Sequence, residues 1–396
     1  MASSIIERQD AASDNVLGKD GPLQHDETKH QPGVKVERDD EFISDAPLHI
    51  KEILAQMEGL SPMDEAVIEA LPNGVSFSSV TTFAKSNWTN TGKVISLRAD
   101  GTEQCFFLKV AFGEHGRSLL GGEFESSKMI HRVTPKACPF GYGQYKAPGP
   151  STYFYISQFI DLDVTTAPKP KELMSGLAQL HKKSVSPTGK FGFPRTTYDV
   201  FFRNLFLGAC ALDAASNDTW LELDRAVVQI ADAVIPRLLG SLRQSDSQEP
   251  IKPCLIHGDL WEGNRGISKV TGDNIVFDAS SYFAHNEMEF GNWRSELNTF
   301  FRSKNTLSNA YIDEYLKHFP KTEPVDEFDD RNRLYSIKVA MNYSAMVPGS
   351  TRRKTAYNNM CYLIAKYAPI EGIDQYDPDL DPFVTGKHFE AYSATE

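Results

Sequence analysis

The sequence predicts an α+β chain in two lobes, the first an antiparallel sheet with a helix and the second mostly helical. Three observations point there. Runs rich in β-branched and aromatic residues fall before about residue 160. Long stretches with apolar residues at helical spacing follow it. The length of 396 residues suits about two units at roughly 100–200 residues each. The expected division is a polar tail over 1–45, an amino-terminal lobe over 46–160, a carboxy-terminal lobe over 161–371 and a tail over 372–396.

Bulk composition narrows the function. Hydrophobic residues make up 40% of the chain, enough for a sizeable core, and the formal net charge is -12. That balance argues against a nucleic-acid surface, which needs clustered Lys and Arg to displace phosphate counterions. A small polyphosphate remains compatible, because local loops and a bound cation can reverse the local field. Cys105, Cys138, Cys210, Cys254 and Cys361 are scattered without a CxxC pair, so neither zinc site nor disulfide framework is indicated. No run of about 18 apolar residues predicts a membrane span. The start, MASSIIERQDAASDN, lacks the long apolar core of a secretory signal, so a cytoplasmic setting is expected.

Residues 1–45 are polar and aperiodic and are expected to be disordered, since they cannot bury enough apolar surface to offset ordering entropy. Ile50, Ile53, Leu54 and Met57 predict a helix within Pro47–Gly59, and a second is expected from Pro62 to about Leu71 behind Ser61 as N-cap. VSFSSVTTFA, KVISLRA and EQCFFLKVAF read as strands, the last two joined by an Asp100-Gly101 hairpin. Lys109 lies inside the third, as either an edge or solvent-facing residue or one aimed at a ligand. A helix is expected from about Gly121 to Val133, placing Glu123 and Glu125 in its first turns, where the helix dipole favours acids. A hairpin around Pro148-Gly149-Pro150 and a strand over Tyr153–Ile160 lead to a hinge near Gln158–Asp163.

KELMSGLAQLHKK, DVFFRNLFLGACALDAA and WLELDRAVVQIADAVIPRLLGSL read as helices of the second lobe. So do GNWRSELNTFF, SNAYIDEYLKHF, RNRLYSIKVAMNYSAM and AYNNMCYLIAKYA. The acidic stretch after Ile373 is expected either to pack in extended form or to stay mobile.

The chemistry concentrates in Cys254–Ser281, CLIHGDLWEGNRGISKVTGDNIVFDASS. Two apolar runs, Cys254–Ile256 and Asn274–Phe277, each lead to an aspartate. Phosphoryl transfer needs a carboxylate to orient the acceptor hydroxyl, oxygen ligands for Mg²⁺ on the phosphates, and fixed positions for all of them. Asp259 suits the first role. Asn264, five residues on, offers a neutral oxygen, and Asp278 an anionic one. The D-x4-N spacing alone is weak. Joined to the HGD sequence, a hairpin-like gap and a second acid after an apolar run, it is far more specific. The bland reading is that both acids merely cap turns.

LIHGDLWEGN followed by IVFDASSYFAHNEMEF resembles the fructosamine-3-kinase (ketosamine-3-kinase) family, within the group that includes aminoglycoside phosphotransferases and choline kinases. DEAVIEALP, FFLKV, GGEFESSKMI, YFYISQFIDL, GLAQLHKK, FGFP and RLYSIKVAMNYSAM extend the resemblance over about residues 62–370. It implies a bilobal protein-kinase-like fold and an ATP- and Mg²⁺-dependent kinase acting on a sugar hydroxyl of small or protein-bound ketosamines. It implies Asp259 as catalytic base, Asn264 and Asp278 as Mg²⁺ ligands, Lys109 on the phosphates with Glu123 as its helix partner, and Gln158, Phe159 and Ile160 along the adenine. Ser86 and Asn87 fall in the nucleotide loop, which is poor in glycine here. His257 is expected to hold the loop. Trp261 would stack on an acceptor sugar or pack the loop; His285 is a candidate at the substrate, but His285 and Glu289 are expected to brace the catalytic loop rather than touch substrate. The departures are Glu262 where the family usually has serine, Asp278-Ala279-Ser280 where it has D-P-A, and Phe283-Ala284-His285 where it has Tyr-Gly-His. The alternatives are a phosphotransferase for another small metabolite, of the aminoglycoside or choline kinase kind, and a catalytically silent nucleotide-binding scaffold.

Overall fold

The computed structural model describes residues 62–85, 89–147, 151–192, 197–296, 298, 301 and 310–386. The expected tail over 1–45, the expected helix within Pro47–Gly59, and Ser86 and Asn87 lie outside the described residues. The chain divides into two compact units, the first running to Gly121 and taking in Tyr142–Phe159, the second comprising Gly122–Gly141 and everything from Ile160 onward.

The first unit opens with helix α1 (Pro62–Ala70), followed by strands β1 (Val75–Lys85), β2 (Asn90–Arg98) and β3 (Glu103–Phe112). Helix α2 (Gly113–Val133) starts in this unit and ends in the second, and β4 (Gly141–Lys146) and β5 (Thr152–Gln158) complete the sheet in the order β1-β2-β3-β5-β4. The β2–β3 turn forms as its sequence requires. Gly101 takes φ 79°, and Asp100 Oδ1 accepts the Thr102 N–H at 2.9 Å. β3 is the middle strand, with Lys109 opposite Thr91 on one side and Tyr155 on the other. Its buried side chain therefore excludes the edge or solvent-facing reading.

Helix α2 begins at Gly113, earlier than the expected Gly121, which puts Glu123 in its third turn and not its first. Gly113 and Gly116 masked the start, because glycine is a poor helix former, but burial of Leu120 on this turn overrides that preference.

The second unit contains β6 (Leu162–Asp163), α3 (Pro170–Lys183), α4 (Tyr198–Ser216), α5 (Leu221–Gln229) and α6 (Ile235–Leu239). A single π turn (Ile230–Val234) joins α5 to α6 just ahead of Pro236, which cannot donate a helical hydrogen bond. Then come β7 (Arg243–Gln244), β8 (Cys254–Ile256), β9 (Arg265–Ser268), β10 (Asn274–Val276) and β11 (Tyr282–Ala284). After them lie α7 (Ala310–His318), β12 (Thr322–Glu323), α8 (Phe328–Met346), α9 (Arg352–Tyr367) and α10 (Pro382–Thr385).

One stretch departs from the expected helix. Residues Asn286–Arg294 form a 3-10 helix, and no α-helix is found in the described part of Gly291–Phe301. Its side chains are committed elsewhere. Asn298 Nδ2 and Trp293 Nε1 donate to backbone carbonyls of Asn292 and Leu260. Gly291 lies against Tyr335, where an added Cβ would come within 2.8 Å. At the other end, residues 374–385 pack onto α8 and α9. Asn358 and Asp377 exchange two hydrogen bonds, and Asp381 accepts from Arg333 at 2.8 Å and Tyr376 at 3.0 Å.

Two cores fill this unit. One is built by α4, α5, α6, α8 and α9, and the other by α3, α7 and the aromatic cluster Phe290, Trp293 and Phe301. Along α8, Arg331 forms a buried ion pair with Glu287 at 2.7 Å and also donates to the carbonyls of Thr322 and Pro324. This fixes α8 against the 3-10 segment. Replacing Arg331 by Met strands a buried carboxylate and is expected to cost about 3–5 kcal/mol, readable as a lower denaturant midpoint; wild-type stability in Arg331→Met would refute this role.

Candidate active site

The site is built on the short antiparallel ladder β8–β11, which pairs Ile256 with Tyr282, Leu255 with Phe283 and Cys254 with Ala284. Its strands are buried on both faces. Cys254 and Ile256 join one core and Leu255 the other, as alternation along a strand dictates. The ladder joins the two stretches singled out in the sequence. The Ser280 N–H donates to the His257 carbonyl at 3.0 Å, so the turn after β8 and the turn before β11 lie side by side.

Gly258 shows how tight this contact is. Its φ is 83°, and an added Cβ would lie 2.1 Å from the Ser280 carbonyl oxygen. Only glycine meets both conditions. A buried carboxylate holds the turn from behind. Glu289 Oε2 accepts the His257 N–H at 2.6 Å and Oε1 accepts the Gly258 N–H at 3.1 Å. His181 Nε2 reaches the same carboxylate at 3.3 Å, with Tyr315 on its other nitrogen at 2.7 Å. Burial works to raise the Glu289 carboxyl, but the hydrogen bond from His181 and the donors at His257 outweigh it and hold the group below its ordinary value.

His257 is fully enclosed. Its Nε2 lies 3.1 Å from the Phe277 carbonyl, which can only accept, so Nε2 carries the proton and Nδ1 is left to accept from the Asp259 N–H at 3.4 Å. Burial lowers its pKa against the pull of Glu289, Asp278 and the Phe277 carbonyl. A neutral, enclosed imidazole bonded at both nitrogens braces the loop.

Asp259 is half-buried at the end of this turn. Asn264 Nδ2 donates to its backbone carbonyl at 2.9 Å and to Oδ2 at 3.0 Å, while Asn292 Nδ2 donates to Oδ1 at 3.3 Å. Burial pushes the Asp259 carboxyl up to about 7, helped by the negative charge of Asp278; Lys338 and the Asn264 hydrogen bond pull the other way. Asp278 sits exposed after β10 with φ 57°, a left-handed conformation that aspartate tolerates better than most residues. The β9–β10 hairpin, Asn274 opposite Ile267 and Val276 opposite Arg265, spans the gap between Asn264 and Asp278.

The donor set suits a hard cation. Asn264 turns its amide nitrogen to Asp259, which directs its carbonyl oxygen elsewhere, and Asp278 supplies a carboxylate. Among the described residues no group of three His, Cys, Asp or Glu could hold a metal on its own. One carboxylate and one amide oxygen are what Mg²⁺ accepts when phosphates and water fill its remaining positions.

The other sequence candidates are placed as follows. Lys109 lies in the first unit and Glu123 in the second. Gln158 ends β5 exposed, Phe159 carries Lys93 over its ring at 4.7 Å, and Ile160 opens the second unit. Trp261 lies over Gly263, where an added Cβ would be 2.4 Å from the indole, and part of the residue stays accessible. His285 corrects the substrate reading. It is buried, with Nδ1 2.9 Å from the Tyr335 hydroxyl and Nε2 2.7 Å from that of Thr322, so it braces β11 from inside the protein.

Sequence reasoning expected Glu289 to brace this loop, which its bonds to His257 and Gly258 bear out, and it missed Asn292 and Lys338. Only Lys338 left a usable trace, a lone cation among Ile337, Val339, Ala340 and Met341.

The fructosamine kinase family model matches residues 211–365, a span that takes in both turns of the site. A protein-ribulosamine 3-kinase, chloroplastic, from Oryza sativa subsp. japonica is 26% identical over 266 residues, covering 63% of this chain and 70% of the relative. Over these residues the chain is similar to the fructosamine kinase family. Solved structures agree on the fold. A protein from Thermobifida fusca YX-ER1, provisionally named fructosamine-3-kinase, is 17% identical with a TM-score of 0.59, covering 77% of this chain and 99% of that one. Its counterpart from Haemophilus somnus 129PT is 14% identical with a TM-score of 0.57, covering 79% and 99%. The fructosamine kinase fold is protein-kinase-like, and no helix among the described residues is long and apolar enough to cross a membrane.

The raised Asp259 carboxyl has a stability consequence. Its folded pKa lies above the unfolded value, so its protonated form favours the fold, and that contribution fades as pH rises from about 4 through 7. Asp259→Asn should therefore gain stability relative to wild type between pH 4 and pH 8 in metal-free buffer. Parallel curves from denaturation at several pH values would contradict the shift. Gly258→Ala should lower the melting temperature and separate the two turns, which proteolysis of the 257–281 region would register.

Proposed function

We propose that this protein is a kinase of the fructosamine kinase kind, which transfers the γ-phosphoryl group of ATP to a sugar hydroxyl of a ketosamine, at the 3-position, in a cytoplasmic setting. The observation that carries the reading is the join between Asp259 and Asn264 on one turn, with Asp278 close enough on the next to raise the Asp259 carboxyl. The relatives' names, protein-ribulosamine 3-kinase in rice and ketosamine-3-kinase in Mus musculus, supply the acceptor class.

In this reading Asp259 is the base. Asn264 and Asn292 hold its two oxygens, and the aspartate orients the acceptor hydroxyl and accepts its proton as the oxygen attacks phosphorus. A carboxyl near neutrality suits that task, because about half of it is ionised at neutral pH and the anion is basic enough to take a proton. Asn264 and Asp278 would hold Mg²⁺, which, when bound, neutralises charge on the phosphates. By the resemblance, Lys109 is proposed to bind phosphate oxygens, and Gln158, Phe159 and Ile160 to run along the adenine. Trp261 would pack the loop and offer its accessible edge to the acceptor.

The test is an ADP-release assay with Mg²⁺-ATP and a panel of acceptors. Ketosamines should react, and Asp259→Asn should lower kcat by about 10³-fold or more while ATP binding persists. Turnover restricted to an aminoglycoside or amino alcohol would replace the acceptor assignment. Near-normal turnover in Asp259→Asn would remove the base. Asp278→Ala should abolish transfer and weaken Mg²⁺ dependence.

A further inference from the structure

Lys338 is the charged side chain of this site that the proposed transfer does not use. It lies on α8, where Arg331, Tyr335 and Lys338 fall at i, i+4 and i+7 and so share one face. The first two fix that face against the 3-10 segment. Arg331 pairs with Glu287, and the Tyr335 hydroxyl bonds His285 while its Cβ presses on Gly291. From the adjacent row, Asn332 donates to the Phe290 carbonyl at 2.8 Å. The next turn of the helix therefore reaches the end of the segment where Asn292 bonds Asp259, and Lys338 interacts electrostatically with that aspartate.

Two features separate this lysine from a structural ion pair. It makes no hydrogen bond and no close ion pair among the described residues, although it is half-buried. Its charge partner is Asp259, whereas Asp278, on the metal side, acts on Asp259 and His257. The ammonium thus acts on the proposed base, the group that the reading above sets against the acceptor hydroxyl. Enclosing an ammonium without a close carboxylate is costly, and an incoming anion would offset that cost.

We infer that Lys338 binds a carboxylate of the acceptor, so that the preferred substrate is a ketosamine formed on the α-amino group of a free amino acid. This rests on the ketosamine reading above and narrows it. In such an adduct the free α-carboxylate is attached to the carbon next to the amine nitrogen, only a few bonds from the sugar 3-hydroxyl. A ketosamine on a lysine side chain within a protein has no carboxylate there. A lysine ammonium is a mobile point charge able to follow that group while Asp259 engages the hydroxyl.

The experiment compares the fructosyl adduct of an α-amino acid with its α-amide, using full-length wild type, Lys338→Met and Lys338→Arg. Wild type should favour the acid by about 10–100-fold in kcat/KM, the range of a charge-assisted hydrogen bond. Lys338→Met should abolish that preference through KM, and Lys338→Arg should restore part of it. Melting temperatures identify any variant that has lost its fold, and the preference of wild type alone still decides the matter in that event. Equal wild-type activity on acid and amide overturns the inference while leaving the ketosamine reading intact. So does a uniform loss on both acceptors in Lys338→Met, which would mean that the lysine acts only through Asp259. If wild type phosphorylates neither adduct but does phosphorylate another acceptor class, the ketosamine reading falls and takes this substrate assignment with it.

Discussion

The turn that carries Asp259, the proposed base, depends on one buried carboxylate. Glu289 holds the backbone N–H groups of His257 and Gly258 in place at 2.6 and 3.1 Å and is itself held by His181. A carboxylate removed from water costs several kcal/mol unless donors surround it. Here the donors are the backbone of the very loop that must be positioned, so the loop conformation and the satisfaction of the charge are one requirement. The left-handed Gly258 and its contact with Ser280 extend that requirement to the second turn. Both acids of the site are thereby fixed by a ladder of three residue pairs lying between two cores.

On that scaffold Asp259 experiences opposing influences. Burial and Asp278 favour its neutral form, while Lys338 and the Asn264 amide favour its anion, and the balance falls near neutrality. A carboxylate left at its ordinary value would be a weaker base, and one buried without Asn264 and Lys338 would stay protonated. Proximity of the second acid therefore serves two ends. Asp278 can offer an oxygen to a cation and also makes Asp259 a better proton acceptor.

The strands and most helices were legible because their signals are local. β3 matches its expected bounds at Glu103 and Phe112, and the Asp100-Gly101 turn carries its own chemistry. The start of α2 was hidden because its glycines are offset by packing that only the folded chain shows. The 3-10 segment over Asn286–Arg294 was hidden because it follows from where Glu287, Glu289, Asn292 and Trp293 find partners more than 30 positions away in the chain. In the site, Asp259, Asn264 and Asp278 lie within 20 positions of one another and could be read as a pattern. Asn292 and Lys338 could not, since spacing along the chain says nothing of a helix that docks beside the loop from 79 positions further on.

The departures from the family pattern acquire different meanings once their partners are known. Glu262 stands where the resembled family usually has a serine, close in sequence to the proposed base, and invites a role with substrate. Its side chain instead accepts the Phe301 N–H at 3.1 Å, and its backbone N–H donates to Asn298 Oδ1 at 3.3 Å. A serine hydroxyl, shorter by two carbon atoms, could not span to Phe301 from the same backbone position. The glutamate thus ties the loop to the segment carrying Asn298 and Phe301. In the Asp278-Ala279-Ser280 stretch, the Ser280 N–H is spent on the His257 carbonyl, and Ala279 is buried in the core beside Leu255. These changes are absorbed within the scaffold. What would distinguish the proposed acceptor side is then sought one element away, on α8, where the Lys338 ammonium acts on the proposed base without a close carboxylate of its own.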